Sequence, residues 1–121
     1  MIGKSVVAGF LALSAIAAGL DTAAAATAYD GSWSLTFYTR RGDCDPSYNF
    51  QVQITNGIIS HPNLVRFRGR VSRDGAVSAS VAVEGKYASG SGRLTRTSGR
   101  GSWTGRTESS RCSGNWVASR G

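Results

Sequence analysis

Over residues 64–83 the chain reads LVRFRGRVSRDGAVSASVAV. Val65, Phe67 and Val71 fall on one side of an extended backbone, and Arg66, Arg68 and Arg70 fall on the other. After Asp74-Gly75, a second row of Val77, Ala79, Val81 and Val83 alternates with small residues. Strict alternation marks a half-buried strand, because successive side chains point to opposite faces of a pleated sheet. Asp-Gly is a hairpin signal, since a type I′ turn needs positive φ at both central residues. The stretch therefore predicts two antiparallel strands, apolar within and arginine-lined outside.

The same period runs outward in both directions. Trp33, Leu35 and Phe37 oppose Ser34, Thr36 and Tyr38, and Tyr48, Phe50, Val52 and Ile54 oppose Asn49, Gln51 and Gln53. Asn56-Gly57, Glu84-Gly85-Lys86 and Thr97-Ser98-Gly99 supply further reversals. Beyond residue 28 no window shows a comparable helical period. Eight strands are predicted, at 32–40, 48–55, 57–60, 64–72, 76–83, 86–95, 100–106 and 112–119. Consecutive hairpins make an antiparallel meander. An all-β, up-and-down barrel is the expected architecture, because closure removes exposed strand edges; a small β-sandwich is the alternative.

A chain of 121 residues has room for one domain. Its 40% hydrophobic content and three Trp are too high for a disordered polymer, despite a net charge of +7. Residues 1–28 have the pattern of a signal peptide: Lys4, an uncharged run from Ser5 to Leu20, then small residues in which Ala26 and Ala28 fit the A-x-A rule. Cleavage is expected after Ala28, with Ala26 the alternative. The uncharged run is short for a span of about 20 apolar residues, so no transmembrane anchor is expected to remain. Residues 29–121 form the expected mature domain, periplasmic or secreted. In an oxidising compartment Cys44 and Cys112 are expected to pair. Closing so long a loop is worth about 4 kcal/mol in the chain-entropy account.

All three Trp stand two residues after a Gly, in Gly31-Ser-Trp33, Gly101-Ser-Trp103 and Gly114-Asn-Trp116. A Gly at a strand entrance permits a tight bend, and the indole beyond it can plug a barrel end. In a closed barrel the first and last strands are neighbours, so Arg120 is expected to stack on Trp33. In Gly31, Trp33 and Arg120 the chain resembles the calycin superfamily, the lipocalin and avidin-like barrels, which open with Gly-x-Trp and bring an Arg or Lys from the last strand over that Trp. No stretch matches the avidins' biotin-binding residues, so none is carried across. The Asp30-Gly-Ser-Trp33 opening and the Ser89-Gly-Ser-Gly92 run also resemble small exported bacterial proteins, a likeness that supplies no activity.

Twelve of the thirteen basic residues beyond position 28 are Arg; the other is Lys86. Arg66, Arg68 and Arg70 fall on one face of one predicted strand, about 6.6–6.8 Å apart, and Arg73 follows at the turn. A guanidinium meets phosphate, sulfate or carboxylate with two parallel hydrogen bonds. These four residues are the candidate binding set. Nucleic acid is disfavoured, because single-strand binding needs aromatics interleaved with the arginines, and only Phe67 lies among them, on the inner side.

One His and two Cys cannot build a His/Cys zinc site, and most nucleophile–base–orienter arrangements need a His. Asp43 and Asp45 flank Cys44 beside Arg40 and Arg41, the pattern of a solvated loop, and His61 precedes Pro62 on a connection. The Gly-rich run Ser89–Gly92 has no following helix to make it a phosphate loop. No metal or cofactor is expected. The functional expectation is an exported, non-enzymatic protein of the cell envelope that contacts anionic groups of glycans or lipids. The alternative is a protein–protein module such as a periplasmic inhibitor of a hydrolase.

Overall fold

The computed structural model describes residues 27–64 and 66–121. The expected leader, apart from Thr27 and Ala28, lies outside them, as does Val65. Eight strands follow in chain order: β1 (Gly31–Arg41), β2 (Ser47–Thr55), β3 (Ile58–Ser60), β4 (Phe67–Val71), β5 (Ala76–Val83), β6 (Lys86–Leu94), β7 (Ser98–Arg106) and β8 (Arg111–Arg120). Each pairs antiparallel with the next, and β1 also pairs with β8, so the meander closes into a barrel rather than a two-sheet sandwich.

Turn chemistry sets the register. Asn56 and Gly57 both have positive φ, at 52° and 77°, as do Glu84 and Gly85, at 30° and 75°. Both are two-residue turns with the hand that suits twisted strands. Asp74-Gly75 departs from expectation: only Gly75 is left-handed, at 93°. The Gly75 amide donates to Ser72 O at 2.9 Å and the Ser72 amide to Ala76 O at 2.9 Å. The loop is thus three residues, Arg73 to Gly75, a right-handed turn closed by a left-handed glycine. The preceding strand is also shorter than predicted. The Leu64 amide donates to His61 O at 3.3 Å and the Phe67 amide to Leu64 O at 3.2 Å. These turns after Pro62 take up Leu64, so the strand begins at Phe67, with one bond to β5 ahead of it, from the Ala82 amide to Arg66 O at 3.3 Å. β7 starts earlier than expected, at Ser98, because the Thr95 amide donates to Ser98 O at 2.7 Å and tightens the reversal.

Inside, the alternating residues meet. Trp33, Val52, Ile54, Ile59, Val71, Leu94, Trp103, Cys112, Trp116 and Ala118 form the buried core, with Leu35, Phe37, Phe67 and Val77 packed against it. Val83 belongs to the inner row by parity yet is 45% exposed, because it stands at the open rim. No polar or charged residue is buried among the described residues. Outward positions carry Ser, Thr, Asn, Gln and Arg, the inverse of a lipid-facing barrel.

The three tryptophans explain the glycines, though not as entrance bends. Only Gly31, with φ 130°, stands at a strand start; Gly101 and Gly114 are mid-strand. A Cβ on Gly92 would stand 2.5 Å from Trp116 Cζ2, and one on Gly101 would stand 2.6 Å from Trp116 Nε1. Bare backbone on β6 and β7 therefore makes the notch into which the Trp116 indole fits. Each indole N–H is satisfied by a carbonyl: Trp33 by Tyr29 O at 2.8 Å, Trp103 by Tyr38 O at 3.1 Å and Trp116 by Ser91 O at 3.2 Å. Such partners remove the penalty of burying a polar group.

Candidate functional site

The two barrel ends differ. At one, the Arg120 guanidinium lies 5.5 Å from the Trp33 ring centroid. It donates to Ala28 O at 3.2 Å and Arg96 O at 3.0 Å, and also to Asp30 O. The Asp30 carboxylate accepts from the amides of Asn56 at 2.9 Å and Gly57 at 3.4 Å, tying the β2–β3 turn to the same end. Arginine and aspartate together seal it. The Asp30 anchor was not singled out from sequence, and its signal was only the proximity of an Asp to the first strand.

At the other end, Cys44 in the β1–β2 loop is bonded to Cys112 on β8, with Cα atoms 6.1 Å apart. A bonded pair points to an oxidising, extracytoplasmic environment. The loop rims a shallow apolar mouth of about 400 Å³ that includes Phe37, Tyr48, Phe50 and Val81. Beneath it the interior space is about 70 Å³, because the indoles and aliphatic side chains fill the barrel. Asp43 and Asp45 are exposed in this loop. His61 is turned to structural use: its Nδ1 accepts the Asn63 amide at 3.1 Å, and its ring packs edge-on to Phe50. No group of three or more His, Cys, Asp or Glu side chains is placed to hold a metal among the described residues.

The candidate arginines are not one stripe. Arg68 and Arg70 lie on β4, opposite Ser80 and Ser78 of β5, and both point outward. Arg66 sits in the turn before the strand, and Arg73 in the β4–β5 loop. All four are exposed. Arg93–Asp74, at 3.6 Å, is the one ion pair among the described residues. The Ser72 hydroxyl and the Ala76 amide donate to the Asp74 carboxylate, and with Arg93 beside it they hold its pKa below the usual carboxylate value. Asp74 is thereby occupied by its own loop and by Arg93, and among the described residues Arg66, Arg68, Arg70 and Arg73 have no acidic neighbour within ion-pair reach.

Closure brings further arginines together that the sequence does not mark as neighbours. Arg93 faces Arg100 across β6 and β7, and Arg106 faces Arg111 across β7 and β8. Like charges directly opposite destabilise a sheet. Arg106 relieves part of its cost by lying 5.3 Å from the Tyr87 ring centroid. An open groove of about 820 Å³ runs over the outer face from Arg68 and Arg70 toward Tyr87 and Thr104. No family model matches the chain, and neither a curated protein nor a solved structure gives a significant match.

Proposed function

We propose that this chain is an exported, non-enzymatic binding protein of the cell envelope, periplasmic or secreted, that contacts anionic groups of glycans or lipids through its exposed arginines. One observation carries this reading: Arg68 and Arg70 point outward from β4, with Arg66 in the turn before it and Arg73 in the loop after it, and among the described residues no carboxylate forms an ion pair with any of the four. Unpaired guanidinium forks on a rigid strand are preorganised for phosphate, sulfate or carboxylate. Arg120 over Trp33, on a barrel opened by Gly31-Ser-Trp33, supports placing the chain with calycin-like barrels.

The test is retention on an immobilised polyanion as salt rises. Wild type should elute progressively earlier at higher salt, because exposed charges are screened beyond about 10 Å at 0.1 M. Arg66→Gln, Arg68→Gln and Arg70→Gln together should weaken retention and leave the melting temperature unchanged. Retention equal to wild type would move the site elsewhere, and binding indifferent to salt would favour a protein partner.

A further inference from the structure

The outer face of β5, β6 and β7 is floored by short hydroxyl side chains in register. Ser78 faces Ser91, which faces Ser102; one step along, Ser80 faces Ser89, which faces Thr104. The grid has spacings of about 4.8 Å between strands and about 6.7 Å along them. It forms the bed of the 820 Å³ groove, with Arg68 and Arg70 along its β4 side. A second depression of about 500 Å³ shares Tyr87 and Thr104 with the first, and Arg41, Arg106 and Arg111 line it. The two make one trough, with guanidinium groups at both ends and hydroxyls between.

The opposite face shows that such hydroxyls need not be free. On β1 and β2, Ser32 bonds Gln53 at 3.0 Å, Thr36 bonds Asn49 at 3.0 Å and Gln51 bonds Ser34 at 2.8 Å. There a short side chain always faces a long amide that can reach it. In the trough short faces short, and although opposed hydroxyls on neighbouring strands can bond one another, these do not. Among the described residues none of the six hydroxyls has a protein partner. Each keeps its donor and its acceptors for an external ligand.

We propose that this trough is a binding site for a short segment of acidic polysaccharide, its sulfate or carboxylate groups held at the two arginine poles and its sugar hydroxyls on the serine floor. This rests on the arginine-mediated function proposed above and adds a second pole, a floor and a ligand class. A volume of about 820 Å³ lies within the ~300–1,000 Å³ of small-molecule sites, enough for a few sugar rings. A single-stranded nucleic acid fits less well, because stacking platforms supply its affinity and the floor offers hydroxyls, with Tyr87 already engaged by Arg106.

The experiment is calorimetric titration with three probes at one fixed salt: a sulfated hexasaccharide, an oligogalacturonate of equal length, and a linear polyphosphate of similar charge. The floor variant carries Ser80→Val, Ser89→Val and Ser102→Val, β-branched residues that suit outward strand positions. Its control carries Thr at the same three sites, keeping the hydroxyls. The floor variant should lose about tenfold or more in affinity for at least one oligosaccharide, with polyphosphate binding unchanged. The Thr control should bind as wild type does. An unchanged melting temperature shows the variant is folded, and the oligosaccharide that responds tells sulfate from carboxylate. Oligosaccharide binding unchanged by the Val substitutions overturns the trough, as does equal loss for all three probes. If Arg68→Gln with Arg70→Gln still weakens every probe in that case, the arginine-mediated function survives it. A wild type that binds none of the three overturns both.

Discussion

Gly101→Ala adds one methyl group at the place where the barrel interior is tightest. The new Cβ would stand 2.6 Å from both Cε2 and Nε1 of Trp116 and would press on the carbonyl oxygen of Ser91. That carbonyl accepts the Trp116 indole N–H at 3.2 Å. The ring is rigid and the carbonyl belongs to the sheet ladder, so neither yields by a side-chain rotation. Overpacking of this kind costs about 1–3 kcal/mol. Displacing the indole from its acceptor adds about 1–3 kcal/mol for a buried donor left without a partner. Against this, alanine recovers about 0.5–1 kcal/mol of backbone entropy relative to glycine. The net loss is about 1–5 kcal/mol, a large share of the ~5–15 kcal/mol that holds a domain together. Urea unfolding of the disulfide-bonded protein, followed by tryptophan fluorescence, measures it as a lower midpoint at constant slope. Trp116→Phe, which shrinks the ring and deletes the donor, should reduce the penalty of Gly101→Ala when the two are combined. A loss under about 0.5 kcal/mol for Gly101→Ala alone would refute the notch as the reason for glycine there.

Replacing Cys44 and Cys112 by Ser should lower stability by about 2–5 kcal/mol, and a melting curve matching the disulfide-bonded protein would refute the staple. Asp74→Asn should lower the melting temperature at neutral pH. The folded-state pKa of Asp74 is depressed, so its contribution is present above the ordinary carboxylate range and disappears as pH falls through the lowered value. Wild-type and variant curves should therefore converge in acid; a constant difference down to about pH 2 would refute the sign.

Period two was legible because it is local. Leu35 and Phe37 face inward and Ser34 and Thr36 outward for a reason contained in neighbouring peptide units, and Asn56-Gly57 demands left-handed backbone whatever lies elsewhere. The Asp74-Gly75 loop defeated the same rule because the Asp-Gly pair suits two loop lengths. Which one forms depends on the Ser72–Ala76 pairing and on the Leu94 amide, which donates to Gly75 O at 2.8 Å from β6. The truncation of β4 to Phe67–Val71 was hidden for a related reason: alternation at Arg66 is compatible with a strand, and the turn bonds from Leu64 to His61 and from Phe67 to Leu64 override it.

The arginines divide along the same line. Their number, and the outward direction of Arg68 and Arg70, follow from composition and parity alone. That Arg106 meets Arg111, that Arg41 joins them, and that Ser80, Ser89 and Thr104 lie side by side depends on the registers of β5 to β8. So too for the barrel interior: three Gly-x-Trp motifs are visible in the sequence, but only folded β6, β7 and β8 show Trp116 seated over Gly92 and Gly101. The sequence by itself determined strand content, facing and the pairing of the two cysteines, because these are set by pleat periodicity, turn dihedrals and the count of thiols. Closure was expected from the meander because it removes exposed edges, whereas tertiary structure alone decided the sealed and open ends and the arginine-ended trough, because pairing between strands distant along the chain sets which outward side chains become neighbours.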